Sequence, residues 1–68
     1  MMLTDRTDQK VLGYLGRALS LELSAVQLYS TQARLATSWG LKDAADFFKH
    51  EAVSEMAHAD RIIDRMLA

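Results

Sequence analysis

Glutamate is scarce in this chain: Glu22, Glu51 and Glu55 are the only three, although Glu is a good helix former that ordinarily decorates solvated faces. Glu22 falls between Leu19 and Val26 in an apolar run at helical spacing, where an unpaired carboxylate is costly unless something neutralises it. Glu55-Met56-Ala57-His58 is a Glu-x-x-His pair. Its i, i+3 spacing lets a carboxylate and an imidazole reach one cation, and in di-iron carboxylate bundles two such pairs combine with a Glu from each of two other helices. This chain encodes half of that set. Two copies packed antiparallel would bring Glu22, Glu55 and His58 together with their symmetry mates, and two divalent cations would balance the carboxylates. The cations would relieve the burial of Glu22 and so link metal binding to assembly.

Each of these residues has a plainer reading. A Glu-x-x-His pair alone is most often a surface pair, and a buried Glu22 could be salt-bridged to Arg17 or Arg34, although both point away from the seam on the helical wheel. Glu51, one turn before Glu55, reads either as a solvated flank residue or as a metal relay. Tyr29 lies on the Glu22 stripe two turns on; it is either core with its hydroxyl on a polar group, or a hydrogen-bonding or electron-supplying neighbour of the metals. His50 points to the polar side. Asp43, Asp46, Asp60 and Asp64, near Lys49, Arg61 and Arg65, read as a solvated face.

These side chains must be carried on helices. The chain has no Pro, and of its three glycines only Gly40 looks like a stop. It predicts a helix ending at a left-handed glycine, with a second helix starting behind an Asp. The expected elements are helix A at about Asp8 to Ser38, after a Thr7 or Asp5 cap, and helix B at about Lys42 to Leu67. Helix A carries the stripe Leu12, Leu15, Leu19, Glu22, Val26, Tyr29, Ala33, Ala36, and beside it the row Tyr14, Leu21, Leu28, Leu35. Helix B shows two flanks, Phe48, Glu55, Ala59, Ile62, Met66 and Ala45, Ala52, Met56, Ile63, Leu67. One partner helix cannot cover so wide an apolar arc, and a lone hairpin would expose a large apolar patch, the usual mark of an interface. The expected fold is all-α: a helical hairpin of two long antiparallel helices, residues 1–68 as one half-domain, pairing with a second chain into a four-helix bundle. At least a homodimer is expected.

Composition narrows the function further. The 68 residues carry eight Lys+Arg against nine Asp+Glu, a formal charge of −1, so there is no basic field for a phosphate backbone, and nucleic acid is not an expected partner. There is no Cys, hence no disulfide and no thiolate metal site. Charges at Asp5, Arg6, Asp8 and Lys10 interrupt the start before a signal peptide could form. The longest charge-free stretch, Leu23 to Ala33, falls short of the roughly 20 residues a membrane span needs. A cytoplasmic chain that does not cross a membrane is expected. A chain this short commonly needs a metal or self-association to supplement its core.

Nearly the whole sequence resembles the N-terminal half of bacterioferritins, the haem-containing branch of the ferritin-like family. The shared features are Lys10-Val11-Leu12-Gly13-Tyr14-Leu15, Glu22-Leu23, Gln27-Leu28-Tyr29, the Trp39-Gly40-Leu41 turn, His50-Glu51, and Ser54-Glu55-Met56-Ala57-His58-Ala59-Asp60-Arg61. The resemblance implies a terminal iron ligand at Glu22, a bridging carboxylate at Glu55 and an iron-ligating imidazole at His58. Tyr29 matches the tyrosine beside the family's di-iron centre, and Glu51 a carboxylate near its iron-entry route. Met56 matches the methionine that ligates haem b from both sides of a two-fold interface; without the resemblance it reads as adaptable packing at a protein contact.

The resemblance covers two helices where the family's subunit has four long ones and a short fifth, so the remaining iron ligands are expected from a second copy, a different chain or a further part of the protein. Ser54 also stands where some members pair His50 with an Asp at an inner-surface iron site. The expected activity is Fe(II) oxidation (ferroxidase) in iron storage or homeostasis, with O2 or peroxide as oxidant and iron and a second chain as partners. The alternative is a non-catalytic interaction or haem-holding module without a working iron pair.

Overall fold

The computed structural model describes residues 6–68, with side-chain surroundings from Asp8 onward. Two helices form an antiparallel hairpin: α1, Arg6–Ser38, and α2, Lys42–Leu67, packed along a rod of 53 × 15 × 11 Å. The hairpin matches the fold class expected from the apolar periodicity, and both helix lengths agree with that reading. α1 is already helical at Arg6, so Thr7 lies inside the helix and is not its cap; the alternative cap, Asp5, lies outside the described residues. Among the described residues no helix is long and apolar enough to cross a membrane.

The turn is built from backbone bonds. Gly40 sits at φ +72°, the left-handed region that residues with a Cβ enter only at a cost. Leu41 N–H donates to the Ala36 carbonyl at 2.9 Å and Gly40 N–H to the Thr37 carbonyl at 3.1 Å. This 6→1 and 5→2 pair is a Schellman motif, which satisfies carbonyls that α1 would otherwise leave open. α2 starts at Lys42, as the sequence reading placed it, but its cap differs. Leu41 is its N-cap and supplies no side-chain bond, and Asp43 lies within the first turn. There its charge faces the positive end of the helix dipole.

Where the helices touch, the fully buried residues are small: Ala33, Ala36, Ala45 and Ala59. Alanines permit close approach but remove little apolar surface from water. Larger seam residues, among them Leu19, Val26, Phe48 and Ile62, are only half-buried. The polar residues near the end of α1 are accommodated by local bonds: Thr31 Oγ1 donates to the Gln27 carbonyl and Thr37 Oγ1 to the Ala33 carbonyl, each at 2.9 Å. Such bonds to the carbonyl four residues back let a hydroxyl side chain sit within a helix.

Candidate metal centre

The α1 seam carries Glu22 to the middle of the hairpin, where α2 brings Glu55 and His58 alongside. Each of the three offers a ligand atom, and these atoms lie within 4.8 Å of one another. His58 Nδ1 is 3.6 Å from Glu22 Oε2 and 3.7 Å from Glu55 Oε2. Both separations exceed hydrogen-bonding distance. Two N or O ligands each about 2.0–2.2 Å from one divalent transition metal can lie up to about 4.2 Å apart, so the spacing accommodates a cation. The Glu22 Oε2 atom is buried and has no hydrogen-bond partner. Polar atoms in that state are exceptional and expensive, and a cation held by all three groups would satisfy this one.

The electrostatics agree. The Glu22 carboxyl is pushed above its ordinary value of 4.5, first by the Glu55 carboxyl set close against it, then by burial and by the Glu55 charge, against the opposing pull of His58. Two carboxyls crowd one place with too little positive charge beside them, a setting that a cation reverses. The site is open on one side: the His58 side chain is 43% exposed, against 26% for Glu22 and 20% for Glu55.

The other sequence-derived residues are placed as follows. Glu51 is half-buried one turn from Glu55 and does not join the three-residue group. Tyr29 stacks on Phe48, with ring centroids 6.2 Å apart and planes at 23°. Met56 is 38% exposed, on the flank of α2 away from His58. His50 is exposed, as its position on the wheel implied. Arg17 lies over the Tyr14 ring at 4.6 Å, and among the described residues Glu22 has no arginine partner.

Two features escaped the sequence reading. Phe47 packs edge-on against Phe48, with centroids 5.4 Å apart, extending the Tyr29 stack into a three-ring cluster. Arg61 and Arg65 line a groove with Leu15, His58 and Ile62, which places them beside the open side of the metal centre as well as at the surface. Their spacing of three and seven from His58 was the available signal.

Residues 12–68 match the family model described as a ferritin-like domain. Over 60 residues, 88% of its length, the chain is 43% identical to the bacterioferritin of Rhodobacter capsulatus and 40% identical to that of Brucella melitensis biotype 1. Over the same share it is 35% identical to the bacterioferritin of Mycolicibacterium paratuberculosis. It covers 37% of the length of the first two and 38% of the third. No solved structure matches significantly. With the family model matched over most of its length, and the hairpin that such a match implies formed by its two helices, the chain belongs to the ferritin-like family.

Proposed function

We propose that the chain is a half-ferritin: two copies form a four-helix bundle that binds a pair of irons between Glu22, Glu55, His58 and their mates, and that oxidises Fe(II) in iron storage or homeostasis in the cytoplasm. The observation that carries the reading is the buried, unpartnered Glu22 Oε2 beside Glu55 and His58. Hard carboxylates with one imidazole suit Fe or Mn.

Iron supplies the redox chemistry: two Fe(II) each give up one electron, and a peroxide molecule that accepts both, together with two protons, leaves as two waters. The chain's residues hold and neutralise. Glu22 and His58 would hold the irons as terminal ligands and Glu55 would be shared by both, the carboxylates would adjust as positive charge accumulates, and the half-buried Leu19 and Val26 beside Glu22 would limit water. Glu51, a turn away on the same side of α2, relays incoming ions. Tyr29 stands two turns from Glu22 as a hydrogen-bonding or electron-supplying neighbour.

Anaerobic Fe(II) titration followed by sedimentation tests the proposal. Two irons per two chains are expected, with loss of uptake in Glu22→Ala. Absent Fe(II) uptake, combined with a Glu22→Ala variant that is more stable and unchanged in metal content, would overturn it. A very large particle in place of two or four chains would move the reading to mineral storage in a shell.

A second reading uses the other flank. Met56 is 38% exposed and one turn from Ala52, which leaves it free to ligate haem b if two such flanks meet. Haem reconstitution should then give a low-spin spectrum that Met56→Leu loses.

A further inference from the structure

The open side of the metal centre continues along α2 as a line of residues. Asp43, Phe47, Ser54, His58, Arg61 and Arg65 follow one another at intervals of four, seven, four, three and four, the spacing of one helix face. The line begins with an acid and ends with two arginines. Among the described residues, none of Asp43, Arg61 and Arg65 makes an ion pair within the hairpin.

The same side of α1 is apolar and uncovered: Tyr14 is 66% exposed, Leu21 73% and Leu28 55%. Leu35 and Trp39, at the end of that row, share a pocket with Ala44 and Phe48 of α2. Leu15 shares the groove of His58, Arg61 and Arg65. The leucine row and the charged line therefore border one face of the hairpin.

Both patterns are symmetric about the level of the metal centre. On α2, Ser54 lies midway between Asp43 and Arg65 and also midway between Phe47 and Arg61. On α1, the row Tyr14, Leu21, Leu28, Leu35 repeats every seven residues, so a two-fold through Leu21 pairs Tyr14 with Leu28. Ser54 neighbours Glu55 and Leu21 neighbours Glu22, so the centre set by the charged line on α2 falls at the level of the metal centre, and the apolar row on α1 fits that centre.

We propose that this face receives a second copy of the chain, antiparallel, about a two-fold axis through the level of Leu21 and Ser54. This inference rests on the half-ferritin reading and adds the surface, orientation and register that complete the site. In that register Arg65 of each copy meets Asp43 of the other, about 16 Å along the helix from the axis on either side. Arg61 covers Phe47 of the other copy, an arrangement suited to a guanidinium over an aromatic ring. Leu21 meets its own mate, and Tyr14 meets Leu28. Each copy contributes Glu22, Glu55 and His58 to the shared site. A helix face acid at one end and basic at the other is complementary to itself reversed, which identifies a second copy as the occupant.

Charge exchange in the full chain tests the register by sedimentation equilibrium at low ionic strength, where such contacts are least screened. Asp43→Arg and Arg65→Glu each create repulsion at two symmetric contacts and should each weaken the dimer about tenfold or more. An equimolar mixture of the two variants is attractive at both contacts and should dimerise within about threefold of wild type. The double variant Asp43→Arg/Arg65→Glu should do the same. Recovery on mixing separates pairing from damage to folding, since a misfolded variant would not be rescued. Single variants that dimerise like wild type, or a mixture no better than its components, would overturn the register. If wild type then still binds two irons per dimer, the half-ferritin reading stands without it. A monomeric, metal-free wild type would overturn both.

Discussion

Glu22 shows how far a single residue can be read and where reading stops. Its place between Leu19 and Val26 at helical spacing put a carboxylate on a buried seam, and Glu-x-x-His put two more donors on one side of the second helix. The structure brings those three together. The Tyr29–Phe48 stack was not legible, because it depends on the rotation and register of α1 against α2, which periodicity within each helix leaves free. Two predictions belong here. In the metal-free chain the Glu22 carboxyl is raised by Glu55 and by burial, so its proton is bound more tightly folded than unfolded. Its contribution to stability is then complete below the unfolded value of 4.5 and is lost as pH rises through the raised folded value. Melting points of the metal-free protein, measured from about pH 4 to 7, should fall toward neutrality relative to those of Glu22→Gln, which lacks the titration. A difference independent of pH would contradict this. The second prediction concerns His58. Loss of a group that only supports a metal ligand commonly costs 10–100-fold in affinity, so His58→Ala, which removes a ligand outright, should weaken Fe(II) binding by about a hundredfold or more in an anaerobic titration while helicity by circular dichroism stays the same.

At the scale of the elements, both helices and the glycine between them were legible, since a period of 3.6 and a lone Gly after a polar Thr37-Ser38 run are local signals. The cap of α2 was not. The sequence suggested an Asp before the helix, but the Schellman bond from Leu41 N–H to the Ala36 carbonyl fixes Leu41 as N-cap and carries Asp43 into the first turn. The end of one helix thus set the beginning of the next. Gly40 tests this description of the turn. A Cβ built there would meet nothing within 4 Å, yet φ is +72°, so Gly40→Ala suffers no clash and only the backbone cost of the left-handed region, about 1–2 kcal/mol. For a chain of this size that amounts to a drop of roughly 4–16 °C in melting temperature. Iron stoichiometry should be unchanged, because the metal ligands lie several turns away. An unshifted melt would mean that the turn relaxes to another geometry at no cost.

For the whole molecule, the decisive fact is what the hairpin leaves in water. Among the described residues only alanines are buried between α1 and α2, while Leu21, Leu28, Leu35, Trp39, Val53 and Leu67 are each more than 40% exposed. Burial stabilises by roughly 25 cal/mol per Å² of apolar area removed from water, so a seam of alanines contributes little against the entropy of ordering two long helices. A hairpin that covers its leucines with another copy gains that area only on association, and its folding is then linked to concentration. The melting temperature of the metal-free wild type should rise steadily over a hundredfold increase in protein concentration, and the rise should persist when thermal scans are slow enough to be at equilibrium. Leu21→Glu makes the argument sharper. On a solvated face this substitution would be close to neutral, since Leu21 is 73% exposed in the single hairpin. At the centre of a two-fold contact it places two carboxylates against each other in apolar surroundings, where like charges and lost apolar burial both oppose association. The variant should sediment as a monomer at concentrations where wild type is dimeric, and its melting point should become independent of concentration. A dimeric Leu21→Glu with a wild-type melting curve would mean that the leucine row faces solvent and that some other surface completes the metal centre.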